Sequence, residues 1–461
     1  MISWFILGYL LATLVVGYAV SRWIRTSGDF ILAGKRLNAL MVGVTIFATW
    51  FGSDLIMGIP TNFVHNGLLG VMDQAATALA LILTALFFAR PLYRMKIITI
   101  SDFFRIRYGK NIERVSSIIG ILTYLPWIAA QFLALALIFQ TIFGTGLAEG
   151  IIIGASIVVF YTYIGGMWAV SVTDMIQSVI IVGGLIYLAV ELAGETGGIS
   201  PVVAATPDGF FDFFPNDGLK SWSDYISGWL IFGVGLIVSQ EIYQRIWSAR
   251  SEEAGVRGTY LSTVLLTVIA VIPYFICLAI SQQYPQYLAN NEGQNMIPEY
   301  VLGQTGDFTQ IMFFGALISA ILSTSSGAML APATLLSENI IKPLFPKMTD
   351  KQLLAATRLG VIIVAVLSVI LTFFSTRVHD LIINSIIPYL VCLFAPFSLG
   401  LYWKRSSSAG AWVAITMGFA AWMAGMQLNT EINPVIYAVG FSFAGMIFGS
   451  ILFPGKDISP D

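Results

Sequence analysis

The sequence predicts an all-α polytopic membrane protein. Of its 461 residues, 57% are hydrophobic and only 10% are charged, whereas a soluble globular chain is about a quarter charged. The mean hydropathy is +0.83, so the chain lacks the polar residues that would cover a water-exposed surface. Apolar runs of about 20 residues, long enough to cross roughly 30 Å of hydrocarbon, recur along its whole length.

These runs predict about thirteen transmembrane helices. The first carries no basic residue before its apolar run, which favours a retained helix over a cleaved signal peptide. The predicted spans are 3–22, 39–60, 67–90, 115–142, 147–165, 168–193, 224–245, 256–284, 308–341, 353–375, 379–402, 409–427 and 432–453.

The basic residues predict how these spans are oriented. Thirteen spans with the N-terminus outside put 21 of the 23 Lys and Arg on the inside, and only Lys220 and Arg377 outside. Such a bias is expected because cytoplasmic loops of membrane proteins carry an excess of Lys and Arg. The sequence therefore predicts a protein of the plasma (inner) membrane with a cytoplasmic C-terminus. On this assignment every basic residue, Arg245 included, lies in a loop or at a span end.

Several functional classes are excluded or disfavoured. A net charge of −2 leaves no basic surface for nucleic acid. The longest polar stretches, 195–223 and 285–307, are loop-sized, and neither a nucleophile–base pair nor a metal-ligand spacing that would indicate an enzyme is present. We expect the lipid bilayer and a small-molecule substrate as partners, and no obligate protein partner.

Four acids fall inside predicted spans, where ionisable groups are costly and usually functional. They are Asp54, Asp73, Asp174 and Glu241. With no basic partner in the spans, each must be neutral, face water or bind a cation. The alternative is a protonated, hydrogen-bonded acid near a helix end.

Two spans carry small and polar residues at their centres. Span two has Gly52, Ser53 and Asp54, and span seven has Gly235 and Ser239. This pattern predicts discontinuous helices whose freed carbonyls can bind a cation, although small residues also serve close helix packing. Span nine adds the hydroxyl residues Ser319, Ser323, Thr324, Ser325 and Ser326, for which interhelical hydrogen bonding is the alternative.

The interrupted spans open two sets of five spans, two to six and seven to eleven. Because five is odd, the second set must have inverted topology, as in transporters with a binding site between two repeats. We therefore predict an extra helix and first cytoplasmic loop (1–38), two five-helix repeats (39–193 and 194–402), and two C-terminal helices with a short tail (403–461).

Several short motifs resemble the sodium:solute symporter family. Residues 165–177 (GGMWAVSVTDMIQ) are similar to its GG-x-x-AV-x-x-TD-x-x-Q motif. Residues 47–49 and 57–60 resemble its first core helix, Gln240 with Gln244-Arg245 its sixth, and residues 319–324 its eighth. The similarity covers roughly residues 5–400, in the same order.

The resemblance implies a five-plus-five inverted-repeat fold and sodium-driven alternating access. It also implies a sodium site formed by the carbonyls of Ala48, Phe51 and Ala320 and the hydroxyls of Ser323 and Thr324. A second sodium site, found in some members, would use Asp174, Ser323 and Ser326. Gly327 stands where those members have another serine, which puts the second site in doubt.

Within the family, the pattern is most similar to choline-transporting members. This similarity and the acids of the spans imply a substrate site at Thr49, Trp50, Asp54, Asp73, Gln74, Trp127, Ser239 and Gln240. Aromatic faces attract quaternary ammonium groups, although Ser239 replaces a tryptophan of the choline cage. We expect sodium-coupled import of a cationic or zwitterionic amine, such as a choline-like compound or an amino acid. The alternatives are a neutral solute such as a sugar or urea, a membrane sensor with a transporter fold, or a passive channel.

Overall fold

The computed structural model describes residues 2–288, 293, 295–374, 378–428 and 430–455. Arg377, one of the two basic residues expected outside, lies beyond these residues. The chain is about 85% helical and the described part contains no strand. An all-helical fold is suited to the lipid bilayer, because a helix satisfies its backbone hydrogen bonds within itself.

The described residues form twenty-one α-helices. In chain order they are α1 (Ile2–Ser21), α2 (Ser27–Leu32), α3 (Ala39–Trp50), α4 (Ile59–Asn66), α5 (Met72–Leu83), α6 (Ala89–Arg94), α7 (Ile100–Tyr108), α8 (Lys110–Phe143), α9 (Leu147–Thr196), α10 (Ile199–Ala204), α11 (Leu219–Gly233), α12 (Gln240–Trp247), α13 (Glu252–Gln283), α14 (Met296–Gln304), α15 (Asp307–Leu335), α16 (Lys342–Leu344), α17 (Asp350–Thr372), α18 (Val378–Pro388), α19 (Ala395–Tyr402), α20 (Ser408–Gly425) and α21 (Pro434–Leu452).

Eleven helical runs among the described residues are long and apolar enough to cross a membrane, so the predicted count of thirteen is not confirmed. Two of them, Asp54–Arg94 and Leu147–Thr196, contain 41 and 50 residues. At 1.5 Å per residue, 50 residues extend about 75 Å, far more than one crossing. Both runs are interrupted by a glycine with positive φ, at Gly67 (φ 59°) and Gly166 (φ 48°).

The first predicted discontinuous helix is interrupted as expected. Helix α3 ends at Trp50 because Phe51 leaves helical geometry with ψ 68°. A π-helical turn follows at Asp54–Gly58 and continues directly into α4, which contains Pro60. The sequence Gly52-Ser53 therefore lies at a true break.

The second discontinuous helix is also confirmed. Helix α11 ends at Gly233, a 3-10 turn spans Gly235–Val238, and Ser239 is extended (φ −67°, ψ 122°). Helix α12 then begins at Gln240, and all eight of its residues are buried.

Helix α15 lies at the centre of the molecule. Every residue from Phe313 to Leu335 is buried, and the helix packs against α9, α8, α17 and α3. A helix that is covered on all sides needs no polar face. Its hydroxyl residues are therefore inside the protein, beside the break after α3.

Candidate functional site

A cavity lies between the two broken helices. Helices α5, α8 and α18 complete its walls. The cavity is lined by Trp50, Gly52, Asp54, Leu55, Ile59, Gln74, Thr77, Thr123, Tyr124, Trp127, Gln131, Phe232, Leu236, Ser239, Ile382, Ser385, Ile386 and Tyr389.

The cavity gathers five of the eight residues expected to bind substrate. They are Trp50, Asp54, Gln74, Trp127 and Ser239. The other three, Thr49, Asp73 and Gln240, are not part of its lining.

Four aromatic residues form one side of the cavity. Tyr124 stacks on Trp127 with ring centroids 6.0 Å apart and meets Tyr389 edge to face at 6.1 Å. Trp50 completes the group, and Asp54 is the one acid among the described lining residues. Aromatic faces and a carboxylate both attract a cation. No Lys, Arg or His side chain is part of that lining.

A buried carboxylate lies directly behind this aromatic wall. Glu241 is 1% exposed and accepts a hydrogen bond from Trp50 Nε1 at 3.0 Å. Its other oxygen accepts from the Tyr124 hydroxyl, which also accepts from the Glu241 backbone N–H at 3.1 Å. Glu241 therefore fixes the orientation of two rings that face the cavity, a role that its position near a span end did not reveal.

Arg245 contradicts the prediction that every basic residue lies in a loop or at a span end. It is 1% exposed, and it donates to Thr45 O at 3.2 Å, Glu241 O at 2.9 Å and the Thr49 hydroxyl. It also interacts electrostatically with Asp174 and Glu241. A guanidinium can be buried when it is paired and hydrogen-bonded in this way. The sequence prediction treated the acids in the spans as having no basic partner, so it missed this contact.

Asp174 connects this cluster to α15. The Thr45 hydroxyl donates to one oxygen of the fully buried carboxylate, and the Ser323 hydroxyl donates to the other at 2.5 Å. A continuous set of polar contacts therefore runs from the aromatic wall, through Glu241 and Arg245, to the hydroxyl residues of α15.

The expected sodium ligands are all buried and lie where the break after α3 meets α15. The Thr324 hydroxyl donates to the Ala48 carbonyl at 3.3 Å. A Cβ at Gly52 would lie 2.8 Å from the Thr324 hydroxyl oxygen, so only glycine permits this close approach. Carbonyl and hydroxyl oxygens are the ligands that a hard cation prefers, and this group of residues fits sodium.

The residues of the second sodium site are arranged differently. Ser323 is turned toward Asp174, and the Ser326 hydroxyl donates to the Ser323 carbonyl of its own helix at 3.0 Å. A Cβ at Gly327 would lie 2.3 Å from Arg245 Nη2. The guanidinium thus fills the space that a side chain at position 327 would need.

Gln240 and Gln244 connect α12 to neighbouring backbone instead of to the cavity. The Gln240 side chain accepts from the Ile100 N–H at 2.7 Å and donates to Ile98 O at 3.2 Å. Gln244 donates to Ile31 O at 2.9 Å. These contacts tie α12 to the segment before α7 and to α2.

The chain is similar to known transporters. The chain is 25% identical over 412 residues to high-affinity choline transporter 1 of Caenorhabditis elegans, covering 85% of this chain and 70% of that one. It is 24% identical over 472 residues to the osmoregulated proline transporter OpuE of Bacillus subtilis, covering 96% and 93%.

The fold is also that of a solved transporter. A sodium-coupled sialic acid symporter in a substrate-bound, outward-open state superimposes with a TM-score of 0.89, at 21% identity, over 100% of this chain and 99% of the other. Finally, the sequence model of the sodium:solute symporter family matches residues 30–418. This chain belongs to the sodium:solute symporter family.

Proposed function

We propose that the chain imports a small cationic or zwitterionic amine together with one sodium ion per cycle. Membership of the family makes it a membrane-embedded, sodium-coupled symporter of a small organic solute and not an enzyme. The amine is the proposed part. It rests on the composition of the cavity, which combines five aromatic side chains with the carboxylate of Asp54 and has no basic side chain in its described lining.

The cavity chemistry favours an amine over an organic acid. A cation over an aromatic face gains about 0.5–2 kcal/mol, and the buried carboxyl group of Glu241 lies behind Trp50 and Tyr124. Arg245 is buried but is not part of the cavity lining, and its nitrogens are hydrogen-bonded to Thr45, Thr49 and Glu241. A substrate carboxylate therefore has no cationic side chain to bind in the cavity. Two of the relatives are named for amines, choline and proline, whereas the structurally similar symporter is named for sialic acid, an organic acid.

We assign the sodium ion to the junction of α3 and α15. Its ligands are the carbonyls of Ala48, Phe51 and Ala320 and the hydroxyls of Ser323 and Thr324. Sodium there would hold the broken end of α3 against α15 and shape the adjacent cavity, since Trp50 lines that cavity. Each sodium that moves inward supplies roughly 2.3 kcal/mol per 100 mV of membrane potential, in addition to its concentration gradient.

The second group of residues supports a stoichiometry of one sodium. Arg245 already supplies a positive charge beside Asp174, and Gly327 lacks a hydroxyl.

The proposal also includes the division into repeats 39–193 and 194–402. It further places the protein in the plasma membrane with the N-terminus outside. Both assignments are supported by the two matching helix breaks and by the distribution of Lys and Arg.

Thermal unfolding of the purified protein tests the substrate. We expect choline or proline to raise the melting temperature in sodium but not in potassium buffer, because a ligand of the folded state stabilises it by mass action. Asp54→Asn should remove most of the shift caused by choline, whereas Asp208→Asn, at an exposed outer acid, should retain it. A sodium-dependent shift given only by sugars, urea or organic acids would overturn the amine assignment.

Flux measurements in proteoliposomes test the stoichiometry. We expect one labelled sodium ion to enter per substrate molecule and a Hill coefficient for sodium near one. Two sodium ions per substrate would contradict the role given to Arg245, and uptake that is unchanged without sodium would contradict the coupling itself.

A further inference from the structure

We propose that a pocket at the end of α1 binds the headgroup of an anionic phospholipid. The pocket lies between α1, α2, α3 and α9, and none of its lining residues is among those assigned to substrate or sodium. It is lined by Arg22, Trp23, Arg25, Asp29, Arg36, Met41, Trp168 and Val172. This binding site is independent of the transport function proposed above.

The pocket is spacious and basic. It is open to solvent and has room for more than one water molecule. Three arginines face one acid, which leaves two positive charges. No guanidinium nitrogen of these arginines lies within 4.0 Å of a carboxylate in the described chain, so their charges are available to a phosphate.

The one acid of the pocket is used to shape it. Asp29 Oδ2 accepts hydrogen bonds from the backbone N–H of Arg25 at 3.2 Å and of Thr26 at 3.1 Å. These bonds form a capping box at the start of α2. They fix the backbone that carries Arg25, and they reduce the capacity of Asp29 to neutralise the arginines.

A strained turn brings the third arginine to the pocket. Ala33, Gly34 and Lys35 have φ values of 47°, 59° and 57°, in the left-handed region that non-glycine residues rarely adopt. This turn reverses the chain after α2, and Arg36 joins Arg22 and Arg25 in the pocket lining. Strain at two non-glycine residues is typical of functional sites, and here it fixes the position of Arg36 in the pocket.

An exposed apolar stripe leads along α1 to the pocket and favours a lipid over free phosphate. Leu11, Val15 and Tyr18 are 62%, 59% and 58% exposed, and their spacing places them on one face of α1. Arg22 follows on the same face, with its guanidinium 5.8 Å from the Tyr18 ring centroid. An acyl chain along this stripe would bring its phosphate to the arginines.

Two tryptophans mark the pocket as lying at the membrane surface. Trp23 packs edge to face on Trp168 with centroids 5.4 Å apart, and Trp23 is 55% exposed. Tryptophan is enriched at the level of lipid headgroups, and basic pockets between transmembrane helices on the cytoplasmic side bind anionic headgroups.

The test uses full-length protein that has been delipidated in detergent. Its melting temperature is measured during titration with phosphatidylglycerol, phosphatidylcholine or soluble glycerol 3-phosphate. We expect stabilisation by phosphatidylglycerol alone. Each arginine should contribute about five-fold to the apparent affinity, from roughly 1 kcal/mol per basic residue at a membrane surface.

The triple variant Arg22→Gln, Arg25→Gln, Arg36→Gln should lose this stabilisation. The matched control Lys347→Gln, Lys351→Gln, Arg405→Gln removes the same charge from other exposed positions and should retain it. If the triple variant does not fold, Arg22→Gln alone must still lower the affinity about five-fold. Equal behaviour of the two triple variants, equal shifts with phosphatidylcholine, or an equal shift with glycerol 3-phosphate would each overturn the proposal.

Discussion

The two broken helices differ in what holds them. The break after α3 has few polar contacts: Thr324 donates to Ala48 O, and the Ser53 N–H donates to Gln131 Oε1 at 3.2 Å. By contrast, the break before α12 is followed by a short helix with four polar side chains, each of which is buried and hydrogen-bonded to another part of the chain. These are Gln240, Glu241, Gln244 and Arg245.

The difference teaches that an interrupted helix can serve two purposes. At the first break, oxygen atoms are available to a ligand that binds reversibly, the proposed sodium ion. At the second, the protein supplies its own charged groups, so the backbone is fixed without a ligand. Variants of α12 should therefore affect stability most, whereas variants at the first break should affect sodium and substrate binding.

The largest effect is expected for Arg245→Met. It removes the electrostatic partner of the buried Asp174 and Glu241 and leaves Thr45 O and Glu241 O without their donor. Each buried unsatisfied group costs about 1–3 kcal/mol, and uptake should be lost. Chemical unfolding in detergent measures the change. Arg257→Gln is the control, because Arg257 forms an exposed pair with Glu253 and such pairs contribute about 0–1 kcal/mol.

A double variant sharpens this result. Adding Asp174→Asn to Arg245→Met removes one of the two uncompensated acids, so it should restore part of the lost stability. A double variant that is less stable than the sum of its single variants would contradict the pairing of these two residues.

The next largest effect is expected for Gln240→Leu. It leaves the Ile100 N–H and the Ile98 carbonyl without their partner, at a cost of about 1–3 kcal/mol for each buried unsatisfied group. Gln140→Leu, at an exposed position of α8, should change the free energy of unfolding by less than about 0.5 kcal/mol. If the two variants unfold alike, Gln240 does not anchor α12.

A smaller effect, limited to sodium, is expected for Thr324→Ala. Loss of one oxygen ligand should raise the sodium concentration for half-maximal uptake about ten-fold, corresponding to about 1.4 kcal/mol, with little change in stability. Ser323→Ala should also weaken sodium binding. Ser325→Ala is the control, since its hydroxyl donates to Ile321 O of its own helix. Unchanged sodium dependence in both Thr324→Ala and Ser323→Ala would refute the site.

The smallest effect is expected for Glu241→Gln. The amide oxygen can still accept from Trp50 Nε1, so the rings stay in place and stability should change by less than about 1.5 kcal/mol. The negative potential behind the aromatic wall is lost, so uptake of a cationic substrate should fall a few-fold while a neutral analogue is unaffected. A variant in which both substrates fall equally would mean that Glu241 acts only by positioning the rings.

The sequence predicted the fold class and both interruptions well. Long apolar runs decide the fold in a membrane because backbone groups must be satisfied within helices, and Gly52-Ser53 and Gly235 with Ser239 stand out within such runs. The number of continuous helices was harder to predict from the sequence, because the run Leu147–Thr196 joins two predicted spans at Gly166 without a loop between them.

The charged cluster could not be predicted because it depends on contacts between distant segments. Arg245 is 71 residues from Asp174 along the chain, and its position near a span end suggested a loop. Similarly, Gln240 was expected at the substrate, but its side chain points to the backbone at Ile98 and Ile100. Residue type and spacing identify candidate ligands, but the side of a short broken helix that each one faces is set by tertiary packing.

The complete burial of α15 has a consequence for chemical labelling. Because no residue from Phe313 to Leu335 contacts solvent, a single cysteine placed there is shielded from water-soluble thiol reagents in this conformation. Any labelling within this stretch would therefore require another conformation of the transport cycle. The rate of labelling at position 323 or 324 would report how often that conformation opens, and sodium would be expected to slow it.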